Sequence, residues 1–154
     1  MPSEPRHARL DLEGFVPYRL SVLSNRVSGA IARQYSERFG LSVPEWRVMA
    51  VLGGTPGLSA REVASRTAMD KVQVSRAVAC LLRSKRLARS ADPRDRRVTR
   101  LALTRQGRAI YDQIVPLALE LEGLLLSALS AEERRGFDKL LAKLARQARL
   151  LGPV

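Results

Sequence analysis

The chain is 154 residues, room for one domain, and 45% hydrophobic residues with only 5% aromatics predict a core of mostly aliphatic side chains. A single cysteine (Cys80) and a single histidine (His7) exclude an intrachain disulfide and argue against a zinc site; with no span-length apolar run and no hydrophobic leader, a cytoplasmic protein without a membrane partner, cofactor or metal is expected. The formal net charge of +12 points to polyanionic partners, and nearly all of the excess falls in residues 71–110, where twelve basic side chains meet only Asp92 and Asp95.

In chain order, Leu23, Val27, Ile31, Tyr35 and Phe39 recur every fourth residue, predicting a helix from near Pro17 that Gly40 ends. Ser42 and Glu45 form a capping-box pattern before a helix with Trp46, Met49 and Leu52 on its apolar side. Gly53, Gly54, Pro56 and Gly57 then make a loop. Ser59 and Glu62 repeat the capping pattern before a short helix ending around Thr67, and Asp70 and Gln73 repeat it before Val74, Val78, Leu81 and Leu82. Two short capped helices joined by a few residues predict a helix-turn-helix, although the link Ala68-Met69 lacks the usual glycine.

Helical character stops after Lys85. Leu87–Ser90 and Val98–Leu103 read as strands around a charged turn containing Pro93, a hairpin that would form a wing. Thr104 caps a long helix carrying Ile110, Ile114, Leu117, Leu121, Leu124 and Leu125, which Pro116 is expected to bend or split. Ser130 and Glu133 cap a last helix with Phe137, Leu140, Leu141, Leu144 and Leu151 on one side. The fold class is therefore mainly α with a small β-wing.

On a wheel of about 100° per residue, Val74, Ala77, Val78 and Leu81 share the core side of the Asp70–Lys85 helix. Val72, Arg76, Ala79, Cys80 and Arg83 face outward, with Gln73 and Ser75 at the margins. That face is slim and acid-free after the cap, as a helix entering a DNA major groove must be. Gln73 suits adenine, Arg76 guanine or phosphate, Val72 a thymine methyl, and Ser75 either bases or phosphate. An ordinary amphipathic surface helix would show the same periodicity, but the adjoining turn collects Arg89, Arg94, Arg96, Arg97 and Arg100, residues suited to a narrow minor groove. Asp92 and Asp95 either orient those guanidinium groups or make the turn; both roles are open. No Ser–His–Asp or Cys–His set is available beyond His7 and Cys80, and no glycine-rich phosphate loop follows a strand, so an enzyme is not expected.

Leu41 to Ile110 resembles the MarR family of bacterial transcriptional regulators in three blocks: "PEWRVMAVL", "DKVQVSRAVACL" and "DPRDRRVTRLALTRQG". The resemblance implies residues 1–40 and 104–154 as dimerisation helices around a DNA-binding lobe at 41–103. It further implies a homodimeric repressor on a palindromic operator in double-stranded DNA. Residues 72 to 76 match the base-contacting segment, Arg97 the minor-groove arginine and Asp95 the residue that steadies it. Pro17 to Gly53 is similar to members governing aromatic-acid catabolism, implying release by a small aromatic acid or its acyl-CoA thioester, with Tyr18, Arg19, Trp46 and Met49 on the pocket side. Two departures stand out: Val72-Gln73 where relatives often carry Ser-Thr, and Arg86 where they usually carry glycine. Lacking glycine's access to the left-handed conformation, Arg86 is expected to cost about 1 kcal/mol or to end the helix differently.

Overall fold

In a computed structural model, residues 9–152 are described; His7 lies outside them. The elements are α1 (Val16–Phe39), α2 (Val43–Gly54), α3 (Ala60–Arg66), α4 (Lys71–Arg83), β1 (Leu87–Ala91), β2 (Thr99–Leu103), α5 (Arg105–Leu126) and α6 (Ala131–Arg149). The architecture is a winged helix-turn-helix, mainly helical with one two-stranded antiparallel sheet.

Side-chain caps start the helices where the sequence places them. Ser59–Glu62, Asp70–Gln73 and Ser130–Glu133 each close a full capping box, whereas Ser42 accepts the Glu45 N–H without the reciprocal bond. Gly40 ends α1 at φ 60°, a left-handed turn that glycine adopts without strain.

The core lies between α2, α4 and the foot of the wing, with Val48, Met49, Leu52, Val63, Val74 and Leu81 fully enclosed. Tyr35 reaches in from α1 and Ile114 from α5. The wing is pinned to this core, not merely attached to it. In the β1–β2 register Leu87 pairs with Leu103, and the loop after α2 bridges Leu101 from the other side: the Leu101 N–H donates to the Leu58 carbonyl and the Gly57 N–H to the Leu101 carbonyl, each at 2.9 Å.

The exit from α4 takes the second of the two forms expected of it, a different helix ending. The left-handed residue is Lys85 (φ 58°), not Arg86. The Arg86 N–H reaches back to the Leu81 carbonyl and the Lys85 N–H to that of Leu82, a Schellman ending with lysine in the position glycine favours. Lys85→Gly is therefore expected to stabilise the protein by about 1 kcal/mol, read as a Tm rise of a few degrees. A fall in Tm would show that the lysine side chain outweighs its backbone strain.

Arg86 instead serves as a tie. Its guanidinium donates to the Phe39 carbonyl at the end of α1, its Nε is buried without a partner, and its carbonyl accepts the Thr104 N–H at 3.0 Å. Pro116 does not split α5, which runs unbroken from Arg105 to Leu126. A proline removes one backbone donor and crowds one carbonyl, and this helix continues through the loss. α6 buries none of its residues.

Candidate nucleic-acid interface

The inner side of α4 decides which of its residues face outward. Val74, Ala77, Val78 and Leu81 are buried at 9% exposure or less, which leaves Val72, Gln73, Ser75, Arg76 and Arg83 exposed. Val72 is 57% exposed, so its methyl groups are open to an apolar contact. Gln73 carries a constraint invisible in the sequence: its amide oxygen accepts the Asp70 N–H at 3.3 Å. That bond occupies one of the oxygen's two lone pairs, so a two-bond contact to adenine must be made with the NH2 group and the lone pair that remains.

The wing tip exposes Arg94, Arg96 and Arg97. The two aspartates among them divide the roles proposed for them. Asp95 Oδ1 accepts the Arg97 N–H at 3.0 Å, so it fixes the backbone that carries Arg97 rather than its guanidinium. Asp92, 8% exposed, makes the turn and holds a guanidinium at once. Its Oδ1 accepts the Arg94 N–H at 2.7 Å and the Asp95 N–H at 3.3 Å, while Oδ2 receives Arg100. The Arg94 amide first, then Arg100, hold the Asp92 carboxyl below the usual carboxylate range. Glu62 is lowered likewise, chiefly by the Ser59 amide. Arg100, grouped by sequence with the wing arginines, is turned inward between these two acids.

The four residues expected beside a ligand do not converge. Tyr18 and Arg19 line an open groove of about 310 Å³ on α1 with Val22, Leu23 and Arg26. Trp46 borders a separate cavity of about 120 Å³ with Ser28, Tyr35 and Arg47. Met49 is wholly enclosed in the core. Sequence periodicity missed a row of aromatic rings, Tyr35–Trp46–Tyr111, with centroids 5.7 and 5.9 Å apart. Arg108 lies over Tyr111 at 5.0 Å and donates twice to the Gly53 carbonyl. Burial pushes the Tyr35 hydroxyl up to about 12, against a smaller opposing pull from Arg47.

Comparison with known proteins gives a consistent picture. A MarR-family model matches residues 39–98. The chain is 28% identical over 132 residues to the HTH-type transcriptional repressor Rv2887 of Mycobacterium tuberculosis, covering 85% of this chain and 91% of that one. Among solved structures, a MarR/EmrR-family regulator from Acinetobacter sp. ADP1 superposes with a TM-score of 0.83 at 25% identity, over 92% of this chain and 99% of that one. BpsR of Bordetella bronchiseptica, whose DNA binding is regulated by 6-hydroxynicotinic acid, gives 0.77 at 26% identity, over 90% and 98%. Among the described residues, no single helix is long and apolar enough to cross a membrane.

Proposed function

We propose that this chain is a MarR-family transcriptional regulator, as the family-model match over residues 39–98 supports, and that it acts as a homodimeric, ligand-responsive repressor of a palindromic operator. The observation that carries the reading is the slim outward face of α4, acid-free beyond its cap, set beside three exposed wing arginines. Val72, Gln73, Ser75 and Arg76 read bases, Arg83 reaches the DNA backbone, and Arg94, Arg96 and Arg97 enter or flank the minor groove, with Asp95 shaping the turn beneath them.

Residues 41–103 form the DNA-binding lobe in this reading, and 1–40 with 104–154 the dimerisation helices. Support comes from apolar side chains that stay exposed in the single chain: Phe137, Leu140, Leu141 and Leu144 on α6, Leu124 and Leu125 on α5, Leu20 and Leu23 on α1, and Phe15 just before it are each at least 39% exposed. A helix with no buried residue gains little from its own propensity, and a second copy of the same faces is the self-complementary cover.

The effector is a small aromatic acid or its acyl-CoA thioester. Arg47 beside Tyr35 and Trp46 pairs a guanidinium with aromatic walls, a chemistry that suits an aromatic carboxylate once the cavity, about 120 Å³, widens to admit it. The larger groove under Tyr18 and Arg19, about 310 Å³, is open to solvent, so the CoA part of a thioester would extend beyond it. BpsR, similar over most of its length, responds to an aromatic acid.

Footprinting on duplexes selected from a random library tests the core of this reading. The expected result is an inverted repeat whose half-sites lie about 10 bp apart, centre to centre. Equal binding to unrelated duplexes would overturn it. A thermal-shift screen of aromatic acids and their CoA thioesters should find compounds that both raise Tm and release that DNA. Compounds that do neither would remove the effector class.

A further inference from the structure

Arg100 is the wing arginine least available to a phosphate. Its Nε and Nη2 both lie 2.6 Å from Asp92 Oδ2. Its Nη1 donates to Glu62 Oε2 at 2.8 Å and to the Gly57 carbonyl at 3.4 Å. Of the five N–H donors on a guanidinium, three are thus hydrogen-bonded within the protein, and Nη2 adds an ion-pair contact to the same Asp92 oxygen. The acids are engaged from behind as well. Asp92 Oδ1 gathers the amides of Arg94 and Asp95, and Glu62 Oε2 also accepts the Ser59 N–H and hydroxyl, each at 2.8 Å.

The result is one continuous polar chain from the tip of the wing to the first turn of α3. It runs from the Arg94 and Asp95 amides through Asp92, Arg100 and Glu62 to Ser59, joining residues 38 positions apart. We infer that Arg100 is a positioning residue, a clasp that sets the angle of the wing against the helix-turn-helix so that Arg94, Arg96 and Arg97 meet DNA together with α4. It contributes to recognition by geometry and not by touching DNA. The inference rests on the DNA-binding function proposed above.

Partial exposure limits the clasp's value to stability: the Arg100 and Glu62 side chains are 32% and 47% exposed. The wing keeps its other attachments, β1 and the Leu58–Leu101 bridge, when the clasp is lost. Variants of the clasp should therefore fold, and their effect should appear in DNA binding.

The sign of the effect separates geometry from charge. Asp92→Asn and Glu62→Gln each remove a negative charge from a protein that binds a polyanion, so electrostatics alone predicts tighter binding. The clasp predicts weaker binding, because a neutral amide no longer holds the guanidinium strongly. The probe is the 30-bp duplex most enriched by the wild-type protein from a random library, titrated by fluorescence anisotropy over a NaCl series, with Tm recorded for every variant. Asp92→Asn, Glu62→Gln and Arg100→Ala are each expected to lose about tenfold in affinity. Arg100→Ala should keep the wild-type salt slope, whereas Arg97→Ala should flatten it by about one. Unchanged or tighter binding by Asp92→Asn and Glu62→Gln would overturn the clasp, as would a slope for Arg100→Ala that falls like that of Arg97→Ala. If the wild-type protein enriches no sequence, the sequence-reading function falls and the clasp with it. If it does and the variants bind equally well, only the clasp falls.

Discussion

Gly107→Ala is expected to destabilise the protein by about 3 kcal/mol, although alanine is the better helix former by about 1 kcal/mol. Gly107 is buried in the first turn of α5, where its N–H donates to Thr104 Oγ1. A methyl group there would sit 2.0 Å from the Arg86 carbonyl oxygen. The obstacle is backbone, so no rotamer change relieves it. Either α5 backs away or the Lys85–Leu87 segment does, and that segment joins the recognition helix to the wing. A Tm lowered by roughly 6–12 °C is the expected reading, with weaker DNA binding alongside. Gly136→Ala in α6 is the control: a methyl group there meets nothing within 4 Å, so propensity alone should act and stability should rise slightly. An unchanged or raised Tm for Gly107→Ala would show that the close approach to Arg86 is not a real constraint.

The second large effect concerns the division of labour between α4 and the wing. Arg97→Ala is expected to weaken binding to every duplex by a similar factor, a loss of about 1–3 kcal/mol, because a minor-groove arginine responds mainly to potential and groove width. Gln73→Ala should cost a comparable amount only on duplexes carrying its preferred base pair, flattening discrimination at that position. The capping bond from Asp70 to Gln73 complicates absolute affinities, since its loss also loosens the start of α4. The decisive quantity is thus the ratio between matched and mismatched duplexes. Equal losses on both for Gln73→Ala would remove it as a base reader.

Much of this interface is legible in the sequence because it is local. Capping boxes span four residues, helical faces repeat every three to four, and the hairpin alternates, so α3, α4 and the wing appear where their patterns lie. What is not legible depends on partners distant in the chain. Arg100 looks like Arg94, Arg96 and Arg97 until Glu62 and Gly57, 38 and 43 residues earlier, are brought beside it. Trp46 and Met49 share one helical face, yet Met49 faces the fully enclosed core while Trp46 stays at its edge against Tyr35 and Tyr111. The choice of Lys85 over Arg86 for the left-handed position follows from which carbonyls the end of α4 leaves open, a matter of register that composition does not encode. The apolar stripe of α6 reads in sequence like any core-facing helix, but in the single chain it covers nothing.

The aromatic row has one more consequence. Trp46 is the only tryptophan in the chain, and it lies between Tyr35 of α1 and Tyr111 of α5. Light absorbed selectively by indole therefore interrogates one point, the place where those two helices meet α2, with no contribution from the wing or α6. The emission colour and quenching of an unlabelled sample would follow any repacking there, and a ligand seated against Trp46 would report its own arrival.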